Sequence, residues 1–270
     1  MQTTAPKINN RQQFKSALYA GYPTAFARAC GINPDPWQKD FMRSEEKRII
    51  LNCCRGAGKT TIVAILALYH ILYQPKSLCL VISHGLIQSS ELFQKVTTFY
   101  RDLGKLVPSE TYNATTLKLA NGSRIKSLAQ TERIRGFHPS LIVIDEAALV
   151  DDDIYHGAVR PMLSVSQGRI IVLSTPHGQR GFFFNAWDDF ENKGNLGNWH
   201  GIKVTAEQCS RHSPQYLAGE RRDLGERYFA QEYMASFEEN ESNVFSKEDI
   251  DRAFHPGIFV RDEINMDDDS

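Results

Sequence analysis

The 270-residue sequence has no apolar run long enough to cross a membrane, and its opening (Gln2, Thr3, Thr4, Lys7, Asn9, Asn10) is too polar for a secretory leader. A chain without membrane attachment is therefore expected. Charge of one sign is also lacking: 31 Lys and Arg against 32 Asp and Glu leave a net charge of −1, so composition alone does not announce a nucleic-acid binder. Any DNA contact has to use a local basic patch. Cys30, Cys53, Cys54, Cys79 and Cys209 are odd in number and lack zinc-type spacing, which argues against a metal module and predicts reduced thiols. Internal repeats are missing, and so is low-complexity sequence apart from the acidic end Asp267–Asp268–Asp269–Ser270, which reads as a polar tail. What remains, 41% hydrophobic and 23% charged, is enough to build a sizeable core. The length fits one large α/β domain, or one domain with a helical appendage.

One further absence is informative. Lys47–Arg48–Ile49–Ile50–Leu51–Asn52–Cys53–Cys54–Arg55–Gly56–Ala57–Gly58–Lys59–Thr60–Thr61 reads as a buried strand, a tight turn and the start of an apolar helix, which is the context of a phosphate-binding P-loop. The general pattern G-x-x-x-x-G-K-[ST] wants a glycine where Cys53 stands. Gly56 and Gly58 still allow close approach of backbone N–H groups to phosphate, Ala57 lies between them, and the helix opened by Lys59, Thr60 and Thr61 turns its positive end to the same oxygens. In that reading Lys59 reaches the β- and γ-phosphates of ATP and the Thr60 hydroxyl ligates Mg²⁺. The bland alternative is a glycine turn joining a core strand to a core helix.

A second stretch decides between them. Leu141–Ile142–Val143–Ile144–Asp145–Glu146–Ala147–Ala148 is an aliphatic strand that ends in two carboxylates, the Walker B pattern. Asp145 would hold Mg²⁺ through water and Glu146 would polarise the attacking water. Strand ends are often acidic simply because loops are polar, but the two motifs together favour a nucleotide site. Gly168–Arg169–Ile170–Ile171–Val172–Leu173–Ser174–Thr175–Pro176 predicts another buried strand, with Ser174 and Thr175 either beside the phosphate or merely closing a turn. Leu78–Ser83 reads as a further parallel strand followed by a helix to about Gly104, with His84 given no catalytic role. Gln38, after Pro36–Trp37, offers a donor and an acceptor that suit an adenine edge, or is a surface glutamine behind a buried tryptophan.

The remaining elements frame these. Residues 11–30 predict two short helices with Phe14, Leu18, Phe26 and Ala29 facing inward. Asn121–Gly122, flanked by alternating residues, predicts a hairpin whose polar face carries Lys118, Arg124 and Lys126; it is equally a solvated face or a basic ribbon for a polyanion. Asp151–Asp152–Asp153 reads as a solvated helix start. Gly181–Trp187 reads as an aromatic helix on the sheet, Trp199–Val204 as a strand, residues 214–237 as helical, and Val244–Ile250 as a boundary helix capped by Ser246.

In order, Pro36–Trp37–Gln38, Cys54–Arg55–Gly56–Ala57–Gly58–Lys59–Thr60–Thr61, Arg135–Gly136–Phe137–His138–Pro139, Ile144–Asp145–Glu146–Ala147 and Leu173–Ser174–Thr175–Pro176 resemble the ATPase domain of large terminase subunits, the DNA-packaging motors of tailed bacteriophages, over roughly residues 30–246. Those proteins lack the first Walker A glycine and carry an arginine where Arg55 stands. Phe182–Phe183–Phe184 and Glu232–Tyr233 also look terminase-like. The resemblance implies an α/β, RecA-like ASCE fold with a mostly parallel sheet flanked by helices, plus N-terminal helices and a small C-terminal helical subdomain. The expected divisions are an arm over 1–32, an ATPase core over 33–212, a helical lid over 213–246 and a boundary segment with acidic tail over 247–270.

It also implies ATP-driven movement of double-stranded DNA into a procapsid by a ring of copies, usually a pentamer, working with a portal protein and a small terminase subunit in the cytoplasm of an infected bacterium. By family pattern Gln38 reads adenine, Lys59 and Thr60 hold phosphate and Mg²⁺, Asp145 is the Walker B acid, Glu146 the catalytic carboxylate, and Ser174 and Thr175 the coupling motif. Arg135 is expected to act in trans as an arginine finger, with Arg55 contacting or sensing phosphate in cis. The segment after Ser246 is too short for the nuclease domain such proteins usually carry, so no nuclease activity is expected. A helicase sharing these motifs would need a second RecA-like domain, a P-loop kinase would need an acceptor lid, and a nucleotide switch has less need of Glu146.

Overall fold

A computed structural model describes residues 19–130 and 134–239. A compact unit spans Met1–Glu238; the second unit, Glu239–Ser270, lies almost wholly outside the described residues, as do the expectations placed on Phe14, Leu18, Ser246 and the acidic end. Among the described residues no helix is long and apolar enough to cross a membrane.

The aliphatic runs became the strands that cover the middle of one eight-stranded sheet: β1 Arg48–Cys53, β2 Leu78–Ser83, β3 Ser109–Tyr112, β4 Thr116–Leu119, β5 Arg124–Ala129, β6 Leu141–Asp145, β7 Arg169–Ser174 and β8 His200–Val204. Their order is β3-β4-β5-β2-β6-β7-β1-β8, parallel from β5 to β8 with an antiparallel margin at β3 and β4. The central strands are apolar at nearly every position because both faces are covered. Alternate residues divide between two cores: Ile49, Leu51, Cys79, Val81, Val143, Ile171 and Leu173 face one side, while Ile50, Leu80, Ile82, Ile142, Ile144, Ile170 and Val172 face the other.

On the first side lie α1 Pro23–Ala29, α2 Pro36–Arg43, α3 Lys59–Tyr73 and α4 Leu86–Asp102. In α3 every residue from Ile62 to Leu68 is buried, which explains why its sequence shows an unbroken apolar run rather than a one-faced stripe. In α1 the inward residues are Phe26 and Ala27, whereas Ala29 is only half-buried. The second side is covered by α5 Asp152–Ile154, a π-helical turn Tyr155–Val159, α6 Arg160–Ser166 and α7 Gly181–Asn192, whose Phe182, Phe183 and Trp187 are buried. Asp152 is more than a solvated start: its Oδ1 accepts the Phe182 N–H at 2.6 Å and so caps α7.

The predicted hairpin forms, with Lys118 opposite Arg124, but its turn is docked rather than presented. The Asn121 side chain donates to the Ile71 and Leu72 carbonyls at the end of α3 at 2.9 and 3.2 Å. Lys118 pairs with Glu110 at 2.7 Å and Lys126 lies over the Phe137 ring, so two of the three cations already have partners within the protein. The last helix among the described residues, α8 Pro214–Tyr233, contains a non-helical Gly225 and stops four residues short of the expected 237. There Ala235 takes a left-handed φ of 51° and its carbonyl accepts from the Asn52 side chain at 3.0 Å, which draws the chain back onto β1.

His70 on α3 illustrates the cost of burial at the opposite sheet edge. Its Nε2 lies 2.8 Å from Ser140 Oγ; burial first, then nearby Arg169, hold its imidazole down to about 4. The unfolded chain takes up this proton near pH 6.5 and the folded chain only near pH 4, so stability falls as pH drops through that window. The contribution is at most about 3 kcal/mol. His70→Asn is expected to flatten the decline of the urea midpoint between pH 7 and pH 4.5; identical slopes in both proteins would refute this account.

Candidate active site

The C-terminal ends of the parallel strands meet along one edge, where an open α/β sheet places its ligands. β7 lies between β1 and β6, so the loop after β1 and the carboxylates after β6 flank Ser174. Cys53 remains a fully buried strand residue, paired with Val204, and Cys54 N–H continues the ladder to the Val204 carbonyl at 2.8 Å. The backbone at Cys53 therefore needs no glycine, because the turn begins later. Gly56 and Gly58 take φ of +74° and +80°, and a Cβ on Gly56 would stand 2.9 Å from the His212 ring. Gly58 is the N-cap of α3, whose first turn is left without acidic side chains and presents unpaired N–H groups.

Lys59 is 8% exposed and reaches back over this loop to two other strand ends. Its Nζ donates to Thr175 Oγ1 at 2.9 Å and lies 3.6 Å from Glu146 Oε1. Ser174 Oγ donates to Glu146 Oε2 at 3.1 Å. Lys59, Glu146, Ser174 and Thr175, all singled out by sequence, thus form one connected cluster. Glu146 adopts a left-handed φ of 49° and ψ of 49°, an uncommon conformation for a non-glycine residue that clusters at functional sites. Asp145 is 4% exposed and accepts the Glu146 N–H at 3.1 Å. Burial and then the neighbouring Glu146 push its carboxyl up to about 7, against the opposing pull of Lys59. Among the described residues no group of three or more His, Cys, Asp and Glu could hold a metal ion. Thr60 is half-buried on the first turn of α3 and Thr61 follows it.

Gln38 is 3% exposed, and its amide is already engaged. Oε1 accepts the Asp35 N–H at 3.0 Å, capping α2, and Nε2 lies 3.5 Å from the Ala57 carbonyl. Arg55 is 76% exposed in its side chain and 3.7 Å from Glu232 Oε2, while its N–H donates to the Glu232 carbonyl at 2.7 Å. Arg135 is not part of the lysine–carboxylate cluster. It is exposed, lies near Gly157, and lines an apolar cleft of about 210 Å³ with Phe137, Pro161, Met162 and Val165. His84 Nδ1 pairs with Gln130 at 2.8 Å.

Three participants lay outside the sequence reading. Arg211 touches the carbonyls of Gly56 and Ala57, His212 Nε2 lies 3.0 Å from the Arg55 carbonyl, and Cys209 Sγ lies 3.9 Å from Cys54 Sγ. Hydrogen bonding between the two thiols holds Cys209 down to about 7 and Cys54 well above the usual thiol range. These residues sit in a short polar stretch, 209–213, more than 150 positions from the loop, with no spacing that would mark them.

Residues 50–252 match the family described as terminase large subunit, T4likevirus-type, N-terminal. The large terminase subunit of Escherichia phage T5 is 27% identical over 223 residues, covering 80% of this chain and 50% of that protein. That of Thermus phage G20c is 25% identical over 258 residues, covering 83% and 53%. The chain thus spans about half the length of these curated relatives. Among solved structures, the large terminase ATPase domain of Thermus phage P74-26 superposes with a TM-score of 0.70 at 19% identity, covering 79% of this chain and 98% of that one. The large terminase of bacteriophage HK97 does so at 0.68 and 18%, covering 81% and 55%. The sheet order and these likenesses establish the expected RecA-like fold. With the family match running through both the glycine loop and the carboxylate strand, this chain belongs to the terminase large subunit family.

Proposed function

We propose that this chain is the ATP-hydrolysing motor portion of a terminase large subunit, driving double-stranded DNA into a procapsid. The observation that carries the proposal is the contact of Lys59 with both Glu146 and Thr175 at the end of the glycine loop. A solved large terminase from a thermophilic bacteriophage, which shares the fold, was obtained in complex with ADP and with ATP-gamma-S. Here the loop N–H groups and Lys59 bind the polyphosphate. Glu146 orients a water and takes its proton as the water oxygen bonds to the γ-phosphorus and the bond to the β–γ bridging oxygen breaks, leaving ADP and phosphate. Gln38, whose Nε2 lies 3.5 Å from the Ala57 carbonyl of the loop, is assigned to the adenine by the family pattern alone.

Thr60 and Asp145 suit Mg²⁺, which keeps several waters and takes one or two protein ligands beside the phosphates, so a three-ligand cage is not required. A divalent ion would supply charge neutralisation at the phosphates and relieve the buried Asp145 carboxylate. Because one ammonium touches Glu146 and Thr175, a change in its phosphate partner is felt by both. Ser174, bonded to Glu146, extends that path as the coupling motif.

DNA, a ring of further copies, a portal protein and a small terminase subunit complete the proposed machine in the cytoplasm of the bacterial host. The test is ATPase rate per chain against protein concentration, with and without double-stranded DNA. A rate that rises steeply with concentration and further with DNA is expected; a flat rate indifferent to DNA would argue against a motor.

A further inference from the structure

Arg211 belongs to none of the motifs, yet it makes more polar contacts to the glycine loop than any predicted residue does. Nε donates to the Gly56 carbonyl at 3.2 Å and Nη2 to the Ala57 carbonyl at 2.6 Å. The same Nη2 meets Asp35 Oδ2 at 2.7 Å, and Asp35 sits at the start of α2. Gln38 Nε2 adds a long contact to the Ala57 carbonyl from the same side. The fork is therefore held on a rigid element and spans two successive carbonyls, a task suited to a planar guanidinium.

The consequence follows from peptide geometry. No cis peptide occurs among the described residues, and in a trans peptide the C=O and N–H point in opposite directions. Drawing the Gly56 carbonyl toward Arg211 turns the Ala57 N–H to the loop's other side, where it meets the Cys54 carbonyl at 3.4 Å, a long and weak bond. Drawing the Ala57 carbonyl the same way turns the Gly58 N–H inward, and that group has no acceptor among the described residues. With φ of +74° and +80°, Gly56 and Gly58 have freedom to rotate these planes. Released, either carbonyl could swing toward a bound phosphate and repel it.

We propose that Arg211, fixed by Asp35, is a positioning residue for polyphosphate binding: it pins two carbonyls outward so that the Ala57 and Gly58 N–H groups face the phosphates. This inference rests on reading the loop as a phosphate site.

The test compares ATP and inorganic pyrophosphate, each by competition against a fluorescent ATP analogue. Arg211→Ala is expected to weaken both by the same factor, about tenfold, the scale of one lost charge-assisted hydrogen bond. In turnover assays KM rises while kcat changes little. Arg211→Lys restores part of the loss, because one ammonium can hold one carbonyl but not the fork. Asp35→Asn, which leaves the arginine in place, shifts both ligands in the same direction by less; it also serves if Arg211→Ala does not fold.

ATP binding that falls while pyrophosphate binding is unchanged would mean that Arg211 contacts base or ribose, and would overturn the inference. Unchanged affinity for both ligands would overturn it as well. Lys59→Ala separates the two levels. If Lys59→Ala does not weaken ATP or pyrophosphate, the phosphate-site reading falls and takes this inference with it. If Lys59→Ala weakens them and Arg211→Ala does not, only the role of Arg211 falls.

Discussion

Glu146→Gln is expected to bind ATP as tightly as the unaltered chain and to hydrolyse it ~10²–10⁴-fold more slowly, the usual worth of a positioned general base. The amide keeps the shape and can still accept from Ser174 Oγ, which lies 3.1 Å from Oε2. What it loses is the ability to take a proton from water and the attraction across 3.6 Å to Lys59 Nζ. Removing that attraction leaves Lys59 more available to phosphate, so affinity should hold or improve slightly. The left-handed backbone at Glu146 serves Gln no worse, so the thermal midpoint should move little. Stopped turnover with retained binding is measured by phosphate release beside equilibrium titration. Turnover within about threefold of the unaltered chain, against the far larger loss expected of a general base, would remove Glu146 from the catalytic role and leave Asp145, buried and with its carboxyl pushed up to about 7, as the carboxylate to explain.

How much of this was legible beforehand depended on how local the cause was. The central strands were readable because burial on both faces leaves only aliphatic residues, and Leu78–Ser83, Leu141–Asp145 and Arg169–Ser174 fell where the runs fell. Lys59, Glu146, Ser174 and Thr175 could be grouped because parallel strands deliver their ends to one edge. Cys53 broke a general motif, yet in the fold it is an ordinary strand position.

Other features depended on distant partners and left no local trace. The basic hairpin read equally well as a solvated face or a basic ribbon for a polyanion, and only the contacts of Lys118 with Glu110 and of Asn121 with the end of α3 show how one cation and the turn are engaged. The stop of α8 at Tyr233 coincides with a left-handed Ala235, past which the Ser236 N–H returns to the Ala230 carbonyl at 3.1 Å, and with the Asn52 contact to the Ala235 carbonyl, 183 positions away in the chain. Arg211 is recognisable only through the carbonyls it touches, because carbonyls carry no sequence signature.

Arg135→Ala is expected to leave ATP affinity of the single chain intact and to lower assembled turnover by ~10³-fold or more, the worth of an arginine finger. Within one chain Arg135 cannot serve as part of the Lys59–Glu146 cluster as it stands. It lies beyond β5, on a segment that leaves the strand-end edge near Gln130 and returns to the opposite edge at Ser140. Its guanidinium makes no ion pair with another described residue, and beside it Val165, 69% exposed, rims an apolar cleft. A cation with no ion-pair partner among the described residues, beside exposed apolar surface, suits a contact between copies, where it could enter the neighbour's site. Arg55 is the rival: its backbone N–H is bonded to the Glu232 carbonyl on α8, while its side chain, 76% exposed, meets Glu232 only across 3.7 Å. Mixing decides between them. Arg135→Ala chains retain Glu146, and Glu146→Gln chains retain Arg135, so a ring containing both has some complete sites if the finger acts in trans. Turnover of the mixture should exceed that of either variant alone and peak at intermediate ratios. Absence of rescue at every ratio would exclude Arg135 from the neighbour's site and turn attention to Arg55, whose replacement by Ala should then abolish turnover without any dependence on mixing.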